Sequence, residues 1–303
     1  MGRLMSSRRT FFKQFSLLAV SSAALPYALG KAGAHFLFLQ QTEPTDEEIL
    51  RAKFVVATKR YLKDRDIGDV VAVMGLLFSG TPYVANSLEV EGPEHLVVNL
   101  RGFDCVTFIE STLALSRCIK SRTDTLEAYK RHLLFIRYRG GGVIDEYPSR
   151  LHYFSDWIDD NERKGVVRNI TKTLGGVRYP KEINYMSTHQ SAYRQLSSPI
   201  HLRVIKGWEK EINKREHYII PKDQVASIQD KLRDGNIIAI TTAVDGLDIG
   251  HTGLALHYEG VLKYLHAPLS KGVVQVSTQS LVDYLTANKK RTGIMVARPL
   301  EPM

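Results

Sequence analysis

The sequence holds only two cysteines and two tryptophans in 303 residues, and it has no apolar run long enough for a convincing membrane span. Each shortage excludes something. Cys105 and Cys118 fall on one predicted helix, thirteen positions apart. At ~1.5 Å per residue that is about 20 Å, far beyond the ~7 Å Cα separation a disulfide tolerates. Cysteine therefore does not staple this chain. Internal repeats and low-complexity tracts are absent, which excludes a solenoid. The triple glycine at 140–142 lacks a following Lys-Ser/Thr, so it has no phosphate-loop pattern and reads as a loop. Excess positive charge is also scarcer than it looks. The chain carries 41 Lys and Arg against 32 Asp and Glu, a net +9. Arg3, Arg8, Arg9, Lys13 and Lys31 supply five of those positives with no acid among them, leaving 36 against 32. Without a clustered basic face, nucleic acid is excluded as a partner.

The basic N-terminus is an export feature. Arg8-Arg9 precedes Phe11, Phe12 and Lys13 and then an apolar stretch from Phe15 to Leu29. That composition is a twin-arginine type signal. Residues 1–34 are assigned to it, and 35–303 to a single catalytic domain with helical elaborations. The expected location is periplasmic or exported, with membrane involvement only through the signal. A monomer is expected.

The rest of the chain is organised around R-G-F-D-C-V-T-F-I-E-S-T-L-A-L-S-R, residues 101–117. Asp104 is a good N-cap, because its carboxylate accepts first-turn N–H groups. Cys105 is then the first helical residue, where free N–H groups and the helix dipole favour thiolate. The following residues are apolar nearly all round, which marks a buried helix. A free thiol at the tip of a buried helix is either a structural cysteine or a nucleophile.

Helices are also predicted from Thr45, over about 69–77, over about 125–137, across 149–165, and at about 188–195, 199–214 and 278–288. The segment 94–100 reads as a strand. The last third is β-rich, with strands at 236–243, 251–258, 261–266, 272–276 and 293–297. Helices first and an antiparallel sheet afterwards is α+β logic: a buried N-terminal helix packed on the sheet, plus helical insertions. In 149–165, Arg150, His152 and Trp157 crowd together as residues suited to a sugar- or peptide-binding groove.

In H-T-G-L-A-L-H, residues 251–257, the residues His251, Gly253, Ala255 and His257 share one strand face. That face is small in its middle, so the Cys105 helix is expected to lie on it. A two-residue turn at Glu259-Gly260 would pair Tyr258 with Val261 and set His266 opposite Gly253, diagonal to His251. Cys105 as nucleophile, His251 as base and His266 as orienter make a complete constellation. A Cys/His zinc site is the rival reading. His257 lies about 20 Å along the strand from His251, so four ligands do not close a cage, and neither metal nor cofactor is expected.

F-D-C at a helix start, H-T-G on a strand and a third His in L-H-A-P resemble the NlpC-type peptidases. These are papain-like cysteine hydrolases of bacterial cell walls, with a Cys–His–polar triad and no metal. T-P-Y, with Tyr83, resembles the Pro-Tyr that precedes their catalytic motif, where the tyrosine lines the site. D-C-V-T here departs from their usual D-C-S-G. The stretches F-D-C-V-T-F-I-E, I-R-Y-R-G-G, S-R-L-H-Y-F-S-D-W, Y-M-S-T-H and G-H-T-G-L-A-L are together similar to the N-acetylmuramoyl-L-alanine amidase-like proteins. The resemblance implies a papain-like core and hydrolysis of the amide joining N-acetylmuramic acid to L-alanine, on anhydro-muropeptide fragments. Tyr83, Asp104, Arg150, His152 and Trp157 would hold the substrate. A γ-D-glutamyl endopeptidase and a non-catalytic peptidoglycan-binding protein are the alternatives.

Overall fold

Helix α1 (Asp46–Lys59) begins where the sequence offers Thr-x-x-Glu. The Thr45 hydroxyl accepts from the Glu48 N–H at 3.3 Å, and the Glu48 carboxylate accepts from the Thr45 N–H at 2.8 Å. Two N–H groups with no intrahelical partner are thereby satisfied. Helix α2 (Ile67–Leu76) starts from Asp66, α3 (Cys105–Lys120) from Asp104 and α4 (Leu126–Arg137) from Thr125. Helices α5 (Phe154–Arg163) and α6 (Pro199–Asn213) lie in the middle of the chain, and α7 (Leu281–Thr286) precedes the last strand. The structure, a computed structural model, describes residues 43–303, and Pro44–Met303 form one compact unit. The export signal expected at 1–34 lies outside the described residues. Among those residues no helix is long and apolar enough to cross a membrane.

The strands are β1 (Val167–Asn169), β2 (Val177–Arg178), β3 (Tyr218–Pro221), β4 (Ile237–Thr242), β5 (Ile249–Tyr258), β6 (Val261–His266), β7 (Gln275–Val276) and β8 (Arg291–Pro299). They form one sheet in the order β2-β3-β8-β4-β5-β6-β7, with β1 on β8, and every strand pairing is antiparallel. The architecture is α+β. The β5–β6 hairpin turns on Glu259 and Gly260, whose φ angles of 53° and 79° are both left-handed. A two-residue turn of that hand matches strand twist. It sets Tyr258 opposite Val261 and Gly253 opposite His266, the register read from the sequence.

The two faces of the sheet are covered differently. On one face Leu254 and Leu265 meet α2 and α3. A Cβ at Gly75 would come within 2.9 Å of both leucine side-chain ends and 3.4 Å of Phe108, so a larger residue would have to push both leucines aside. The other face carries Ile238, Ile240, Ala255, Leu262 and Tyr264, covered by Leu281 and Leu285 of α7. His251 pairs with Ile240, and His266 with Gly253, so both histidines belong to this second face. The expectation that α3 lies on the histidine face is therefore corrected: it packs on the opposite one. Gly253 is needed for a different reason, since a Cβ there would strike the Tyr264 ring at 2.7 Å.

Three further expectations change. Residues 94–100 form no strand. Their backbone groups are taken by side chains: Arg137 Nη1 donates to the Val97 carbonyl at 2.6 Å, and the Leu100 N–H donates to Asp46 Oδ1 at 2.7 Å. The helix predicted across 149–165 starts only at Phe154, so Arg150 and His152 stand in the extended approach to it. In 185–197 the helix expected at 188–195 is replaced by three short helical turns. Strands β1, β2 and β3 carry too few residues for an alternation to be read.

Candidate active site

The site is assembled at the tip of α3. Asp104 caps the helix through Oδ1, which accepts from the N–H groups of Val106 at 3.0 Å and Thr107 at 2.7 Å. The Thr107 hydroxyl accepts from the Asp104 N–H at 2.9 Å, closing the box. The cap thus takes the N–H groups of the second and third helical residues and leaves that of Cys105 outside it. Phe103 anchors the turn from below, with its ring 4.9 Å edge-on from Phe78 and 6.2 Å from Phe108. Burial of such a ring stabilises by roughly 1.5–3 kcal/mol. The tip therefore stands on a packed base, with Cys105 itself partly exposed.

The β5–β6 ladder ends at Gly253–His266, so His251 and Thr252 have no partner on β6. The tip of α3 comes in at that opening. Thr252 Oγ1, on a nearly inaccessible residue, donates to the Cys105 carbonyl at 2.7 Å. The cysteine thus joins the strand one residue from His251, around the end of the ladder. His251 Nε2 lies 2.8 Å from His266 Nδ1. Tyr264 packs against both rings, at 5.7 Å and 4.8 Å between centroids, and Tyr284 meets His266 edge-on at 5.1 Å. Burial raises the pKa of Tyr83, Tyr264 and Tyr284, and Cys105 adds to each rise. Tyr264 and Tyr284 thus lie near both the sulfur and the imidazoles.

The electrostatics contradict a resting thiolate. Burial pushes the Cys105 thiol up to about 11, and the Asp104 carboxylate adds to the rise. Hydrogen bonds from Thr252 oppose it without cancelling it. The residue that caps the helix thus sets a negative charge beside the sulfur and offsets the dipole. Burial holds His251 down to about 4, assisted by the Arg291 charge. His266 is lowered to about 3 by burial, then by His251 and Arg291. At neutral pH the three groups are a thiol and two neutral imidazoles.

Tyr83 reaches the site on the segment 82–84. Its N–H donates to the Gly272 carbonyl at 2.7 Å, and the Val84 N–H donates to the Phe103 carbonyl at 2.9 Å. It is partly exposed beside Cys105. Asp104 is committed to the helix cap.

The groove residues read from 149–157 belong elsewhere. Trp157 has no exposed surface, and its Nε1 donates to Glu110 Oε1 at 3.2 Å. Arg150 is buried, with Nη2 on Glu89 Oε1 at 2.6 Å and Nη1 on the Leu88 carbonyl at 2.8 Å. His152 is half-buried; its Nε2 lies 2.9 Å from the Tyr147 carbonyl oxygen, and its ring 4.4 Å from the Tyr147 ring. A side chain already enclosed and paired inside the protein has no surface left for a substrate, which corrects the assignment of Arg150 and Trp157.

Thr252, Tyr264, Tyr284 and Arg291 have no counterpart in the sequence reading. The alternation of H-T-G-L-A-L-H marks Thr252 as facing away from the histidines, and the signal stops there. Among the described residues no group of three or more His, Cys, Asp or Glu is arranged to hold a metal ion.

Residues 73–294 match the family model described as AmiA-like, N-acetylmuramoyl-L-alanine amidase-like. Among solved structures, an N-acetylmuramoyl-L-alanine amidase from Bacteroides uniformis is 36% identical, with a TM-score of 0.74, over 78% of this chain and 99% of that one. A Bacteroides fragilis protein with a provisional xylanase name is 37% identical, with a TM-score of 0.71, over 75% and 99%. A Legionella pneumophila protein, 20% identical with a TM-score of 0.62 over 84% and 95%, shares the fold. No curated protein matches the chain.

Proposed function

The chain belongs to the N-acetylmuramoyl-L-alanine amidase-like family, and on that footing we propose that it hydrolyses the amide between N-acetylmuramic acid and L-alanine with Cys105 as nucleophile. One observation carries the reading. His251 Nε2 is engaged by His266 at 2.8 Å, and Thr252, the next residue, is tied to Cys105 at 2.7 Å. For His251 to act as base through Nδ1, its Nε2 must carry the proton and donate it to His266 Nδ1. His266 is then the orienter.

The resting pair is thiol and imidazole, so proton transfer accompanies attack. The Cys105 sulfur bonds to the lactyl carbonyl carbon as His251 Nδ1 takes the thiol proton. The oxyanion meets the Cys105 N–H, which the Asp104 cap leaves unused. The imidazolium protonates the L-alanine nitrogen, the C–N bond breaks and a thioester remains. His251 then takes a proton from water, the hydroxide adds to the thioester, and the muramic acid carboxylate leaves as the thiol re-forms. The xylanase name of the Bacteroides fragilis protein fits this chain less well. Glycosidic cleavage needs two carboxylates across the bond, whereas here the reacting groups are sulfur and imidazoles and Asp104 caps a helix.

The reading includes anhydro-muropeptides as substrates, a papain-like NlpC-type core and export through the twin-arginine signal. Cys105→Ala should lower turnover of muramoyl-peptides by at least about 10³-fold while the thermal transition is retained. Retained turnover, or inhibition by chelators but not by thiol reagents, overturns it. Mass spectrometry of the products identifies the bond: peptides with a free L-alanine N-terminus mark the amidase, and a free diamino-acid N-terminus marks the γ-D-glutamyl endopeptidase instead.

A further inference from the structure

The first residue of β8, Arg291, stands at the end of the sheet that carries the histidines. It pairs with Thr242 at the end of β4, whose Ile240 pairs with His251. Its guanidinium lies 3.8 Å over the Tyr284 ring, and Nη1 donates to the Tyr284 carbonyl. Tyr284 in turn meets His266. The side chain is partly exposed. Its charge is felt by His251, His266, Tyr264 and Tyr284 alike.

What it lacks is an acid. Arg137, Arg139, Arg150 and Arg215 each hold a carboxylate at 2.7 Å or less. Among the described residues Arg291 holds none. A cation held by a ring and a carbonyl, one tyrosine away from His266 and with no counter-charge, is preorganised for an anion from outside. It is a poor general acid, since a guanidinium does not give up its proton in this range. The muropeptide supplies the anion. The peptide that leaves as the amine bears a carboxylate on the residue after L-alanine.

Resting on the amidase reading, we propose that Arg291, clamped on Tyr284, is the specificity residue that binds this carboxylate of the leaving peptide. A charge-assisted pair of this kind is worth about 10- to 100-fold in kcat/KM.

The test uses two muramoyl-tripeptides, one with D-glutamate and one with D-isoglutamine after L-alanine, which differ only in that carboxylate. The wild-type protein should prefer the free acid by 10-fold or more. Arg291→Gln should erase the preference, chiefly by raising KM for the acid, and Arg291→Lys should restore part of it. Equal kcat/KM of the wild-type protein on both substrates overturns the proposal and leaves the amidase reading intact. An equal loss on both substrates in Arg291→Gln, with the preference kept, also overturns it and makes Arg291 a prop for Tyr284. No turnover of either substrate overturns the amidase reading, and this proposal with it.

Discussion

Two polar regions lie a short way apart in this molecule and follow opposite rules. In the region built by α3, α4 and α5, charges are buried and matched. Arg137 Nε holds Glu110 at 2.7 Å, Arg139 and Arg215 hold Asp156 at 2.6 and 2.7 Å, and Arg150 holds Glu89 at 2.6 Å. At the tip of α3 the groups are Cys105, His251 and His266, all neutral at rest, with hydrogen bonds in place of ion pairs. The first region fixes the backbone that presents the tip. In the second the sulfur and both imidazoles are neutral, although the charges of Asp104 and Arg291 act on them. Glu110 links them, since it lies on the same helix as Cys105 and receives both Arg137 and Trp157. A groove-like crowd of arginine and aromatics in a sequence can therefore mark an internal clamp as readily as a binding surface.

The largest effect should come from breaking the clamp. Arg137→Met leaves the Glu110 carboxyl buried without its cation. Burial already raises the Glu110 pKa, and Arg137 is the main group lowering it. Loss of one partner of a buried pair costs about 3–5 kcal/mol, which urea denaturation would read directly. Arg137 Nη1 also holds the Val97 carbonyl at 2.6 Å, so the 94–100 segment should loosen with it. A loss below about 1 kcal/mol would mean that the clamp is dispensable.

The sequence made the local features legible and left the convergent ones hidden. The Thr45 box, the Asp104 cap and the Glu259-Gly260 hairpin each depend on a few neighbouring residues, and each stands where the sequence places it. Which face of the sheet receives α3 was not legible. It is decided by where β6 leaves β5 and by Gly75 on a different helix. The meeting of Arg291 with Tyr284 joins residues from β8 and α7 at one end of the sheet. Trp157 and Arg150 are ambiguous in sequence because a composition suited to a sugar groove is also that of a buried ion-pair cluster.

The second test compares the regions through their histidines. His251 and His266 are held down by burial, and so is His132, to about 4, and His152. In the unfolded chain each titrates near 6.5. Above that pH both states are neutral and nothing is lost. As pH falls below it the unfolded chain takes up protons that the folded one refuses, so stability declines by about 1.4 kcal/mol per pH unit for each such histidine until its folded pKa is reached. His257 opposes this, because Asp234 at 2.8 Å raises its pKa, and so do the carboxyls of Glu94, Glu110, Asp159 and Asp248, which burial raises, so the histidine share is the part of the slope that His266→Asn removes. The urea midpoint should fall steadily from pH 6.5 to pH 4.5, and His266→Asn should flatten the slope by about one proton. A slope over that range that His266→Asn leaves unchanged would mean the imidazoles are not kept neutral.

The smallest effect is the sharpest test of the boundary between the two regions. Trp157→Phe removes the donor to Glu110 and keeps a ring stacked 4.8 Å from Phe154. The lost hydrogen bond to a buried carboxylate costs about 1–3 kcal/mol. Since the side chain has no exposed surface, it cannot touch a muropeptide, and KM should stay within about twofold of the wild-type value while the thermal midpoint falls. A tenfold rise in KM at unchanged stability would return Trp157 to the substrate and erase the distinction between clamp and site. The same variant with unchanged KM but a lowered kcat would instead show that the indole tunes the tip from a distance, either through Glu110 on the Cys105 helix or through the Ser155–Asp248 hydrogen bond that ties α5 to the start of β5.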